Sequence, residues 1–368
     1  MSEEIRGRLL LGDEIIPGRL LIDGETIADV TRDEQETGPI IAPGYVDLQV
    51  NGGYGVDVAE GPEAIRTISR RLPETGVVAY LPTVITSEPD VYPSVAAAFT
   101  EAAGCAGARP LGLHLEGPFL SPRRAGAHRP DLMESADLSV LGRILDAGQV
   151  RLMTVAPDRP DALDVIRLVR SHGIAVSLGH TDATYEQFEA GADAGAMMAT
   201  HLFNAMSAFG HRAPGAIGAT LLDDRVTAGV IADGIHSHPA SLRLAFRAKG
   251  PDRLLLVTDM VAAAGMPPGE YELGGRRVIA DGRAVRLPDG TLAGAALTMD
   301  DAVRAMVRWT EATVPQALRM AAEIPGRILD VPARRIAVGA PADLVVLDEG
   351  LKVKGTMIGG MWVYQRPE

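Results

Sequence analysis

Apolar positions along the chain fall into two textures. Near the N-terminus, β-prone runs at 8–11, 18–22 and 26–30 are punctuated by the turn-forming pairs Gly12-Asp13 and Asp23-Gly24 and by Thr37-Gly38-Pro39. The C-terminus repeats that texture at 335–338, 342–348 and 352–364, the last broken at Gly359-Gly360. Neither end has enough strands for a stable sheet alone. Pairing of residues 1–42 with 335–368 into one small β-sandwich domain is therefore expected.

Between the ends, short apolar runs alternate with segments of helical period. The runs are 44–50, 77–84, 110–115, 150–155, 174–178, 197–200, 227–231 and 254–257, with helical segments such as 62–72, 90–103 and 161–172 between them. Eight β-then-α units is the count of a (β/α)8 TIM-type barrel, expected over 43–334, and near-continuous apolar strands suit a buried parallel sheet. An open doubly wound sheet is the alternative, but no Gly-x-Gly-x-x-Gly follows an early strand. A turn-rich stretch at 266–293, with Gly274-Gly275 and Asp289-Gly290, reads as a β-hairpin insertion in the last unit.

Composition narrows the function class. At 368 residues, 46% of them apolar, the chain can bury a large core. A formal charge of -13 argues against non-specific nucleic-acid binding and against an anionic membrane surface. An anionic substrate would then need a local cluster of cations. Cys105 is the only cysteine, which fits a reducing compartment. The opening Met-Ser-Glu-Glu lacks the basic-then-apolar pattern of a secretory signal, and no run approaches the roughly 18 apolar residues that span a bilayer. A cytoplasmic location is expected.

In a barrel, the C-terminal ends of the strands carry the chemistry. The third run ends in His114-Leu115-Glu116-Gly117-Pro118, the fifth in Gly179-His180, the sixth in Thr200-His201 and the eighth in Thr258-Asp259. One strand-end histidine is more often a structural residue than a ligand. Two on neighbouring strands, with Glu116 on the same rim, form a ligand set for a catalytic divalent ion that leaves a position open for water. Asp259 could merely cap the following helix; beside a metal it could take a proton from water and return it to a leaving amine.

Several blocks together resemble the amidohydrolase superfamily and, within it, the deacetylases of 6-phosphorylated N-acetyl amino sugars. They are the 43–53 segment, Leu113-His114-Leu115-Glu116-Gly117-Pro118, Gly179-His180-Thr181-Asp182-Ala183-Thr184, Thr200-His201-Leu202-Phe203-Asn204-Ala205-Met206, Ala232-Asp233-Gly234-Ile235-His236, Val257-Thr258-Asp259 and Leu292-Ala293-Gly294. The resemblance implies hydrolysis of the acetyl amide of N-acetyl-D-glucosamine 6-phosphate to D-glucosamine 6-phosphate and acetate. It makes Glu116, His180 and His201 the ligands of one divalent ion, Zn2+ first and Fe2+, Co2+ or Mn2+ as options, with Asp259 as general base and acid. It places His128 over the substrate carbonyl. It makes Ala127, Asn204, Ala205, Arg212, His236, Leu292, Ala293 and Gly294 the sugar-phosphate contacts, and it implies a homodimer whose partner chain completes the phosphate site.

Many superfamily members carry His-x-His after the first strand; here Gln49-Val50-Asn51 stands there, and neutral amides bind Zn2+-class ions weakly. One metal is expected rather than two. The sequence leaves open the C4 epimer of the sugar, a different N-acyl substrate of the same superfamily, and the role of His238. A catalytically silent ligand-binding protein is disfavoured because every ligand and the acid/base residue are present.

Overall fold

The computed structural model describes residues 2–134, 137–332 and 335–367. The expected boundary at residue 334, and both terminal residues, lie outside them. Eight parallel strand positions form the barrel: Tyr45–Val50, Val77–Ile85, Leu113–Glu116, Val150–Val155, Ala175–Leu178, Met198–Ala199, Thr227–Val230 and Leu254–Leu256. They are hydrogen-bonded in chain order, the order of a (β/α)8 barrel. The first and last are joined where Asn51 N–H donates to Met260 O at 2.9 Å and Asp259 N–H to Gln49 O at 3.0 Å. That closing seam lies beside the site.

Nearly every strand residue is buried, because side chains on one face fill the barrel and those on the other meet helices. The helices present the matching stripe. In Pro62–Arg71 the buried positions include Ile65 and Ile68, and in Ala162–Ser171 they include Val165, Ile166 and Val169. Pro62 opens the first of these helices, where its missing N–H costs nothing.

The chain ends build one seven-stranded sheet from Ser2–Leu11, Glu14–Asp23, Thr26–Arg32, Ile40–Pro43, Leu344–Leu347, Val353–Ile358 and Met361–Gln365. Its outer turns meet: Thr26 bridges to Pro341, and Gly360 packs on Gly24. The sheet thus curls around an apolar cluster of Ile5, Leu9, Leu20, Ile22, Ile27, Leu344 and Met357, drawn from both termini. The strand expected at 335–338 is not one. That segment turns instead, buries Ile336 in the same cluster, and leads to Gly339 N–H donating to Ile27 O at 2.8 Å. The 266–293 stretch forms a three-stranded antiparallel insertion, Gly269–Leu273, Arg276–Ala280 and Val285–Arg286.

Charged groups tie the terminal sheet to the barrel. Arg319 reaches Asp13 in the first hairpin, Asp252 before the eighth strand at 2.7 Å, and Glu323 one helical turn on at 3.0 Å. Two of these carboxylates are well exposed, so each pair is weak and the network is what counts. Arg319→Met should lower unfolding stability by about 1–2 kcal/mol, with the aliphatic stem kept in place. Chemical denaturation checks this in low salt and again in about 1 M salt, where screening should shrink the difference. An equal loss in both conditions would mean that packing, not charge, carries the effect.

Candidate metal and active site

Glu116 ends the third barrel strand, and its side chain is almost fully buried. Its Oε1 lies 3.2 Å from His180 Nε2 and 2.9 Å from His201 Nε2, and those two nitrogens are 3.1 Å apart. Ligands at about 2.0–2.1 Å from a tetrahedral ion are about 3.3 Å from one another, so this triangle suits one divalent cation. His180 Nδ1 sits 2.9 Å from the Arg124 carbonyl, which can only accept. The proton is therefore on Nδ1, and the Nε2 lone pair faces Glu116 and His201. Burial alone would raise the Glu116 pKa, but the His128, His180 and His201 imidazoles gathered around it hold it well below the usual carboxylate range. Glu116, His180 and His201 are the group of His, Cys, Asp or Glu found close enough to hold a metal among the described residues.

The backbone aims these groups at a cost. His180, His201 and Asp259 have φ of 46°, 27° and 51°, in the left-handed region that side chains other than glycine's seldom occupy. Each lies two or three residues past a strand end, at 178, 199 and 256 respectively, so the turn swings its side chain over the barrel mouth.

Asp259 is held from one side. Gln49 Nε2 donates to its Oδ1 at 3.0 Å and Asn51 Nδ2 to the same oxygen at 2.7 Å. Gln49 Nε2 also reaches Glu116 Oε1 at 3.0 Å. Positions 49 and 51 share one face of their strand, which lets both amides point inward. Asp259 Oδ2 receives no hydrogen bond among the described residues and stays available to a reacting group. Burial, and then the nearby Glu116 carboxylate, push Asp259 up to about 6.

His128 lies across the site, its Nε2 3.5 Å from Glu116 Oε2. The Thr86 backbone N–H donates to His128 Nδ1 at 3.2 Å, so the ring proton is on Nε2. Burial, and then His180, lower its pKa to about 4, which keeps it neutral.

A cavity of about 370 Å3 opens above these groups. It is lined by Ala127, Asn204, Ala205, His236, Leu292 and Gly294 of the expected sugar-phosphate contacts. Ala293 is buried behind that wall. His236 is fixed by Asp233, which takes its Nδ1 at 2.7 Å and its backbone N–H at 2.7 Å. Arg212 is not part of the lining; it is exposed and makes no ion pair among the described residues. Arg123 and Arg124 do line the cavity, Arg124 held to Asp182 at 2.7 Å, and sequence reasoning passed over both.

Residues 40–363 match the amidohydrolase family. The chain belongs to that family. It is 38% identical to N-acetylglucosamine-6-phosphate deacetylase of Danio rerio, over 96% of this chain and 91% of that protein. It is 36% identical to N-acetylgalactosamine-6-phosphate deacetylase of Escherichia coli O157:H7, over 98% and 99%. Among solved structures, a mutant N-acetyl-D-glucosamine-6-phosphate deacetylase from Mycobacterium smegmatis, in complex with N-acetyl-D-glucosamine-6-phosphate, superposes with a TM-score of 0.92 at 34% identity, covering 98% of this chain and 99% of that one.

Amidohydrolases are metal-dependent, and the Glu116, His180 and His201 triangle fits that requirement. Two further residues gain a structural account. The His238 ring accepts from Ala240 N–H at 3.1 Å and so caps the helix Pro239–Lys249. Asp47, fully buried beneath Asp259, takes hydrogen bonds from the Thr258 hydroxyl and from the N–H groups of Gln49 and Thr258.

Burial pushes the Asp47 carboxyl up to about 7, above its unfolded value of 3.8. The native state therefore holds an extra proton between these two values, and stability from this group declines as pH rises through about 7. Asp47→Asn mimics the neutral acid and removes that titration. The substitution should cost more at pH 5 than at pH 8 in paired denaturation curves. A difference independent of pH would show that Asp47 is ionised throughout.

Proposed function

We propose that this chain hydrolyses the acetyl amide of N-acetyl-D-glucosamine 6-phosphate, giving D-glucosamine 6-phosphate and acetate. The carrying observation is the pairing of a Glu-His-His metal triangle with Asp259 on the same barrel rim, in a chain closely related over its length to deacetylases. A bound divalent ion, one per chain and Zn2+ by its ligand set, would lower the pKa of water and polarise the amide carbonyl. The Gln49 and Asn51 amides are in the place where a second ion would find ligands, which supports one metal rather than two.

Asp259 Oδ2 takes the proton of the attacking water and then gives it to the departing nitrogen. Its raised pKa suits both steps near neutral pH. His128 offers its Nε2–H to the carbonyl oxygen as charge develops there. His236 and the backbone at Asn204-Ala205 lie on the cavity wall where a sugar phosphate would be received.

Arg212 makes no ion pair among the described residues and lies outside the cavity lining of its own chain. It shares its loop with the exposed Phe209, and the exposed Leu222 follows in the next helix. A homodimer in which Arg212 enters the partner's phosphate site accounts for both features. The lone Cys105 fits a cytoplasmic protein, and among the described residues no helix is long and apolar enough to cross a membrane. The E. coli relative supports a second substrate, the C4 epimer N-acetylgalactosamine 6-phosphate.

Acetate release from both phosphorylated epimers and from plain N-acetylglucosamine, with and without a chelator, tests the reading. Turnover should need the metal and the phosphate. Asp259→Asn should retain metal yet lose about 10²-fold or more in kcat, the usual weight of general acid–base catalysis. Metal-independent turnover, or turnover of the Asn variant within a few-fold of wild type, would overturn the mechanism. Arg212→Ala should cost about ten- to a hundred-fold in kcat/KM on the phosphorylated sugar, the weight of one charged hydrogen bond, and little on the plain one. Equal losses on the two would remove Arg212 from the phosphate site.

A further inference from the structure

The three-stranded insertion does more than wall the cavity. Its apolar side chains Leu273, Val278, Val285 and Leu287 pack with Ile85, Ala127, Val261 and Ala293, residues that surround the barrel mouth. Gly274 N–H anchors it to Asp57 Oδ2 at 2.9 Å. Arg276, in its second strand, sends Nη1 to the carbonyls of two consecutive residues, Ala127 at 2.6 Å and His128 at 3.1 Å. Among the described residues no carboxylate pairs with this guanidinium. A cation bonded to backbone carbonyls alone is committed to fixing that backbone.

The loop so gripped is the one that carries His128. From the other side, Thr86 N–H and Thr86 Oγ1 meet His128 Nδ1 at 3.2 Å and 2.9 Å. The ring is thus held at one nitrogen by the second barrel strand, and its own carbonyl is held by the insertion. We infer that Arg276 is a positioning residue for His128, and that the insertion serves as a clamp keeping the His128 Nε2–H aimed into the cavity. This rests on the deacetylase reading for its kinetics, though not for its structural consequence.

Both bonds leave one nitrogen, Nη1, so a lysine ammonium, with its several N–H donors, can reproduce part of the grip. A shift of His128 by even about 1 Å would take its N–H off the developing oxyanion and can cost up to about 10²-fold in rate. A loss of position, unlike a loss of substrate contact, falls on kcat and spares KM.

The test combines kinetics with hydrogen exchange on the full-length metal-loaded protein. Arg276→Met should lower kcat about ten- to a hundred-fold with KM within about threefold, and Arg276→Lys should recover part of the loss. In a His128→Gln background, Arg276→Met should cost almost nothing more, because residues acting through one group are non-additive. The amides of residues 125–129 should exchange at least about tenfold faster in Arg276→Met than in wild type. Full kinetic additivity of the two substitutions would overturn the inference, and so would unchanged protection of that loop. If wild-type protein releases no acetate, the deacetylase reading fails while the exchange result still decides whether Arg276 clamps the loop. If Arg276→Met does not fold, Arg276→Lys carries the same comparisons.

Discussion

One buried carboxylate organises the site. Glu116 is almost excluded from water, yet the imidazoles around it hold it well below the usual carboxylate range. An isolated charge at that depth would neutralise rather than persist. It persists because His128, His180, His201 and the Gln49 amide all converge on its two oxygens. Those groups come from four other places in the chain. Satisfying one charge therefore fixes the relative positions of the first, third, fifth and sixth barrel strands at their C-terminal ends.

The same demand explains the strained backbone. Parallel strands end with their side chains directed into the barrel or out toward helices, not up over its mouth. A left-handed residue after the strand turns the chain so that the side chain rises above the barrel instead. His180, His201 and Asp259 adopt that conformation, as does Ala205 in the cavity wall. Each is a non-glycine in a costly conformation, of order 1–3 kcal/mol, sustained by the packing beneath it. The hydroxyl chain of Ser177, Thr200 and Thr154, joined to His114 at 2.8 Å, is part of that packing and pairs its own polar atoms just under the metal triangle.

The barrel was legible in the sequence because its signal is local: apolar runs of strand length at regular spacing, each followed by a helical stripe. The gathering of Glu116, His180 and His201 on one rim was legible for a related reason. A rule that asks only which ionisable residue ends a strand finds Glu116, His180, His201 and Asp259 without any knowledge of their distances. Residues that act across the chain were not legible. Thr86 also ends a strand, and the same rule would have found it had hydroxyls been admitted along with ionisable groups. Arg276 sits in an insertion whose docking no periodicity encodes, and its partners are backbone carbonyls that any sequence supplies. Arg124 carries no sequence signal that sets it apart from other loop arginines, though its carbonyl sets the tautomer of His180. At 335–338 a β-prone run became a turn, because the edge beside Thr26 could be met by single bonds rather than by a full strand.

Gln49 and Asn51 show how a departure from a motif can be read as a function rather than a loss. Where a pair of imidazoles would offer lone pairs to a second cation, two amides offer N–H groups to carboxylates. Gln49 Nε2 bridges Glu116 and Asp259, standing between them much as a cation would, but without a charge and with a fixed direction. The exchange has a consequence for Asp259. A second divalent ion beside Asp259 would depress its pKa and bind its free oxygen. Two amide donors on Oδ1 stabilise the carboxylate more gently and leave Oδ2 open, so burial and the Glu116 charge can still raise it toward neutrality. Which atoms the first strand presents at its end thus decides what surrounds Asp259: amide donors on Oδ1 and an open Oδ2.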